Sequence, residues 1–177
     1  MNQNEESKAR LLRNDTPHRH HPHALEIVGK VLKDFNWKPD EFKGDTSSGF
    51  VVFLADSLYE GGIIHLIEDE QRLVFYLEFR ERASETTRSQ VAEFITRANY
   101  GILIGNFEMD YSDGSIRYKT SLDFQGDELS PALIRNIIAA ARNSGETYGY
   151  ALIEVMKGQK SAQNAIDDVE STRIDTD

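Results

Sequence analysis

Residues 98–122 read Ala98-Asn99-Tyr100-Gly101-Ile102-Leu103-Ile104-Gly105-Asn106-Phe107-Glu108-Met109-Asp110-Tyr111-Ser112-Asp113-Gly114-Ser115-Ile116-Arg117-Tyr118-Lys119-Thr120-Ser121-Leu122. The first two residues close an amphipathic helix, and two strands follow, joined at Asp113-Gly114. Asp-Gly between strand-forming runs predicts a hairpin with a type I′ turn, which needs positive φ at both central residues. Alternation on the first strand sends Leu103, Phe107 and Met109 one way and Ile102, Ile104 and Asn106 the other. On the second, Ile116, Tyr118, Thr120 and Leu122 oppose Arg117, Lys119, Ser121 and Asp123. Gly101 and Gly105 read as a bulge or a close backbone approach.

Upstream, the helix is predicted over Thr87 to Asn99. Thr87 and Gln90 have capping-box spacing. Val91, Phe94, Ile95 and Ala98 make its apolar stripe, Arg88, Glu93, Thr96 and Arg97 its wet side, and Arg97 suits the dipole of the last turn. Before it, Arg72 to Phe79 alternates with period two, and Ile63 to Glu68 is a second strand behind Gly61-Gly62. Glu68-Asp69-Glu70-Gln71 joins them as an antiparallel hairpin. Phe50 to Ala55 is a short apolar run and a third strand, while Asp40 to Gly49 reads as turn. The first helix starts at Ala24, with Leu25, Val28, Leu32 and Phe35 on one face, and Trp37-Lys38-Pro39 is expected to close it.

Downstream, Ser130-Pro131 opens a long helix as N-cap and first-turn proline. Ile134, Ile137, Ile138, Ala141, Tyr148, Leu152 and Val155 carry its face to Met156. Gly145 and Gly149 interrupt it at a cost of about 1 kcal/mol each against alanine, so either the helix kinks or another backbone packs close there. Gly158 is the expected C-cap, and Ser161 to Glu170 a last short helix. The order α-β-β-β-α-β-β-α, with five strands in one antiparallel sheet packed on helices, is an α+β fold. The domain plan is a polar, disordered tail over residues 1–23, an α+β domain over 24–158, and a short helix with an acidic tail over 159–177.

Composition narrows the function classes. A chain of 177 residues and 20.1 kDa supports one sizeable core. Its 30 acidic residues against 20 basic leave a net charge of −10, a field that repels nucleic acid and anionic membrane but tolerates a basic or unfolded protein partner. The absence of cysteine excludes disulfides and thiolate chemistry. There is no long apolar run for a membrane span, and the Asn-, Glu- and Arg-rich N-terminus lacks the features of a secretory signal. The expected compartment is the cytoplasm.

Nothing in the residues assembles a catalytic centre. His18, His20, His21 and His23 form a run that could hold a transition metal loosely, but no carboxylate or cysteine closes the site, so it reads as a solvated tail. His65 is the one histidine inside the folded region and reads as a half-exposed strand residue; Glu68, three residues on, falls on the opposite face, which argues against a shared metal. Asp110 to Gly114 imitates a calcium loop, yet the required glycine and glutamate positions hold Ser115 and Ser121. Neither a G-x-G-x-x-G nor a Walker pattern occurs. The expectation is no catalytic residue, no metal and no cofactor.

Arg97-Ala98-Asn99-Tyr100, Ile104 to Asp110, Asp113 to Tyr118, and the later Tyr150 to Gly158 resemble the YbjN family of small bacterial proteins. That resemblance, over roughly Ala24 to Val169, implies a type III secretion chaperone-like fold, a homodimer that holds an unfolded segment of a client, a role in sensory transduction, and no catalytic residues. The expected function is therefore a non-enzymatic protein-binding or chaperone-like module. Leu103, Phe107 and Met109 are the candidate dimer seam; the competing reading places them in the monomer's own core. The alternative function is a small-ligand sensor or enzyme with a pocket between the sheet and the last helix, lined by Tyr148 and Tyr150.

Overall fold

The computed structural model describes residues 22–45, 47–54 and 58–174. The tail expected over 1–23 and its histidine run lie outside these residues, apart from Pro22 and His23, which open the first helix, α1 (Pro22–Asp34). Leu32, Val28, Val31 and Ala24 are its buried face. Its end is set by Asn36 and not by Pro39. Asn36 takes φ +58, its N–H bonds the Lys33 carbonyl at 2.9 Å, and the Trp37 N–H reaches back to Leu32 at 3.3 Å. This is a Schellman closure, in which a left-handed residue satisfies the last carbonyls.

Among the described residues six strands follow, one more than expected: β1 (Asp40–Lys43), β2 (Ser48–Phe53), β3 (Tyr59–Ile67), β4 (Arg72–Phe79), β5 (Asn106–Met109) and β6 (Ile116–Asp123). The sheet order is β1-β2-β3-β4-β6-β5, antiparallel throughout. The additional strand is β1, which pairs Asp40–Lys43 with Ser48–Val51. It carries three charged residues and one apolar one, as an exposed edge does, and so shows no apolar alternation. β4 has the bounds its alternation predicts, while β3 starts at Tyr59 and takes Gly61-Gly62 into the strand across a bulge.

The helix after β4, α2 (Arg88–Gly101), runs two residues past its expected end, so Arg97 sits one turn back and pairs with Glu93 at 2.8 Å. Thr87 makes no side-chain cap. Its hydroxyl instead donates to the Met156 carbonyl at 3.1 Å, and the Gln90 side-chain oxygen accepts from the Ala162 N–H at 3.0 Å. The capping-box pair is thus spent on joining α2 to the chain's last elements. Those are α3 (Pro131–Met156), capped by Ser130 Oγ accepting from the Leu133 N–H, and α4 (Ala162–Ile174). Gly158 terminates α3 at φ +68, as expected.

α3 is unbroken at Gly145 and Gly149. What packs there is not a backbone but an aromatic ring and a leucine: a Cβ at Gly145 would meet the Tyr59 phenol, and one at Gly149 would meet Leu58. α3 lies on β4 and β6, α1 on β2, and α2 on β5, while α4 closes over α2 and α3. Phe50, Val52, Ile64, Leu66, Phe75 and Leu77 project from the sheet into this single core. Val51, Ile63, His65, Val74 and Tyr76, on the opposite face, are only half-buried. The α+β expectation of one antiparallel sheet packed on helices holds.

Candidate protein-binding surfaces

Asn99 sits in the last turn of α2, beside the outer edge of β5. Its side-chain oxygen accepts from the Phe107 N–H at 2.8 Å, and its NH2 donates to the Phe107 carbonyl at 3.0 Å. One amide thus does what a neighbouring strand would do and closes the sheet edge at its centre. The connecting turn is held from below as well. Gly105 takes φ +82, and a Cβ there would lie 2.5 Å from the Lys119 carbonyl oxygen. The Tyr118 hydroxyl donates to the Ile104 carbonyl at 2.6 Å and is hydrogen-bonded to Ser144 Oγ at 2.9 Å.

From the end of α2 and this pinned turn, Tyr100, Leu103 and Ile104 stand out into solvent, 97%, 98% and 54% exposed. Soluble chains rarely display neighbouring large apolar side chains this fully without use for them. The positive φ of Gly105 breaks the extended backbone, so β5 begins only at Asn106 and the alternation counted from Leu103 does not carry through. The expected trio therefore separates. Leu103 is exposed, Met109 is partly buried against the core, and Phe107 is 2% exposed, edge-on to Tyr118 at 4.8 Å and to Tyr148 at 6.2 Å.

A family profile for YbjN, described as "Putative bacterial sensory transduction regulator", matches residues 24–154. The chain belongs to the YbjN family. Solved structures of similar shape include the ExsC-ExsE complex, at 14% identity and a TM-score of 0.49, covering 72% of this chain and 91% of that one. YbjN from E. coli follows at 13% identity and a TM-score of 0.47, covering 68% and 84%. The HopA1-SchA chaperone-effector complex has 12% identity and a TM-score of 0.45, covering 82% and 96%. No curated protein sequence matches the chain.

This YbjN chain has a second exposed surface rich in aromatic side chains, a groove of about 510 Å³ between α3, the start of β3 and the end of α1. Five of its lining side chains are aromatic: Phe35, Trp37, Phe53, Tyr59 and Tyr150. Leu54, Leu58 and Leu77 supply aliphatic wall, and Arg142 and Glu146 stand at the α3 side. Phe35 and Trp37 stack at 5.2 Å, and Trp37 continues onto Phe75 at 6.3 Å. Burial pushes the Tyr59 hydroxyl well above its ordinary pKa, and the Glu146 carboxylate adds to the rise. The groove lies where a sheet–helix pocket was expected. Tyr150 lines it, whereas Tyr148 turns into the core. No spacing in the sequence signals the groove, because it gathers residues from four separate segments.

The sheet face away from the described helices holds His65 between Phe42 at 5.2 Å and Tyr76 at 5.9 Å, both edge-on. Burial lowers its pKa from 6.5, and the nearby Arg117 lowers it further. Arg117 itself stacks 4.0 Å above the Tyr76 ring and pairs with Glu108 at 2.8 Å. Burial would raise the Glu108 pKa, but hydrogen bonds from Arg117 and Lys119 outweigh it and hold the carboxyl low. In the β5–β6 turn, Asp110 Oδ1 accepts from the Ser112 N–H at 2.8 Å, and Asp113 Oδ1 from the Ser115 N–H at 2.9 Å. Only Gly114 takes positive φ there, so the connection is a four-residue loop and not type I′. Among the described residues no group of three His, Asp or Glu side chains could hold a metal ion, and no helix is long and apolar enough to cross a membrane.

Proposed function

We propose that this protein is a non-enzymatic protein-binding module that works as a homodimer, with the Tyr100–Ile104 turn as the seam. The observation that carries this reading is the near-complete exposure of Tyr100 and Leu103 on a turn clamped by Asn99, Gly105 and Tyr118. A rigid apolar knob loses little conformational freedom on association, which is what a lasting contact needs. Leu103 keeps its place in the expected seam, while Met109 is partly buried against the core and Phe107 supports the turn from inside. The bound client is a basic or unfolded protein segment, since a net charge of −10 steers such segments inward and repels nucleic acid.

Light scattering coupled to size exclusion tests the seam. At micromolar concentration the wild type is expected at twice its 20.1 kDa chain mass and Leu103→Glu at the single-chain mass. A wild type that elutes as a clean monomer overturns the dimer. Failure to recover any protein client on pull-down from the native cell overturns the client-binding role.

A further inference from the structure

We infer that the aromatic groove beside α3 receives the side chain of a basic residue, arginine foremost, from an extended segment of a partner protein. This rests on the protein-binding reading and names what one of its surfaces recognises. The groove offers two chemistries in one space. Leu54, Leu58 and Leu77 line it with hydrocarbon that suits an aliphatic stem, and Trp37, Phe53 and Tyr150 line it with aromatic rings. An arginine side chain has the same division, an aliphatic stem ending in a flat cation. Aromatic faces attract such a cation through the ring quadrupole, tryptophan most strongly.

Glu146 supplies the counter-charge. Its only ion partner among the described residues is Arg142, one helical turn earlier, at 3.9 Å, the outer limit of an ion pair. That pair also runs in the weaker order, with the cation N-terminal to the anion. An incoming guanidinium can compete for the carboxylate because Arg142 holds it loosely. An apolar guest would leave Glu146 idle, and an anionic guest would face both that carboxylate and the chain's net charge of −10.

Trp37 is the only tryptophan in the chain, so its fluorescence reports on this groove alone. The test uses the full chain at low salt and a blocked peptide Gly-Ser-Leu-Arg-Leu-Ser-Gly. Counterpart peptides carry citrulline or norleucine in place of arginine. The arginine peptide is expected to change the Trp37 signal saturably below about 1 mM, with citrulline and norleucine weaker by about tenfold. Glu146→Gln is expected to weaken the arginine peptide about fivefold, and Arg142→Ala to tighten it.

Equal binding of the uncharged peptides, or no saturable change up to about 1 mM, overturns the inference. So does the reverse variant pattern, which would mark a carboxylate site built on Arg142. Light scattering on the same samples separates the two readings. A monomer that binds the arginine peptide sinks the dimer and leaves the groove standing; a dimer that ignores it does the opposite.

Discussion

The phenol of Tyr59 fills the notch that Gly145 leaves in α3: a Cβ at Gly145 would lie 1.4 Å from the Tyr59 hydroxyl oxygen and 2.7 Å from the ring carbon that bears it. The ring cannot swing away freely, because it packs edge-on against Phe79 at 4.9 Å. Glycine inside a 26-residue helix would ordinarily be a weakness worth about 1 kcal/mol. Here overpacking outweighs that gain. Gly145→Ala is expected to destabilise by about 1–3 kcal/mol in urea denaturation. Trimming the hydroxyl with Tyr59→Phe in the same chain should recover part of the loss, a coupling that a double-mutant cycle reads directly. Additive single effects would contradict the contact.

Asn99 bridges both backbone groups of Phe107, so removing its amide strands the N–H and leaves the C=O with the longer bond from Asn106 Nδ2 at 3.3 Å. Asn99→Ala is expected to cost about 1–3 kcal/mol, seen as a lower urea midpoint with an unchanged slope. Asn99→Asp keeps the acceptor for the N–H but sets a carboxylate oxygen against the carbonyl, and should not restore stability.

Leu103 and Phe107, two members of the expected seam, should respond in opposite ways. Phe107→Ala removes a ring from the core and is expected to cost about 3–5 kcal/mol. Leu103→Ala touches a side chain in solvent and should stay within about 0.5 kcal/mol of the wild type when both are compared as monomers. A large loss at Leu103 under those conditions would mean that the turn packs against its own chain.

His65 gives the stability a pH dependence of defined sign. Its folded pKa lies below the ordinary 6.5, so between the two values the unfolded chain binds the proton and the folded chain does not. Stability contributed by the neutral ring is complete above about 6.5 and falls as pH drops through that value. Denaturation at successive pH values from neutrality downward should show this loss in the wild type and a shallower one in His65→Gln. An equal or steeper loss in the variant would exclude the assignment.

The elements whose physics is local were legible from the residues. β4 alternates because one face lies in the core and the other is half-open. The start of α3 is written in Ser130 and Pro131, and its end in Gly158. β1 was hidden because an edge strand of Asp40, Glu41 and Lys43 carries charge where a pattern search looks for apolar residues. Thr87 and Gln90 misled because their side chains serve the end of α3 and the start of α4, some seventy residues away, and the shift at Leu103 came from one glycine conformation. The groove was illegible for a different reason. Phe35, Phe53, Tyr59 and Tyr150 are brought together by the sheet order alone.

The family profile stops at residue 154, yet the packed core does not. Ala162, Ala165 and Ile166 of α4 are buried, and the last helix is latched to the first turn of α2 through Gln90 while Thr87 grips the end of α3. A fragment trimmed at that profile boundary would bare the apolar flanks of two helices and lose both latches. It is expected to express as an aggregating species with a lowered melting temperature, whereas one carried through Ile174 should melt in a single transition. For this chain, the stretch that the profile matches is shorter than the stretch that packs together.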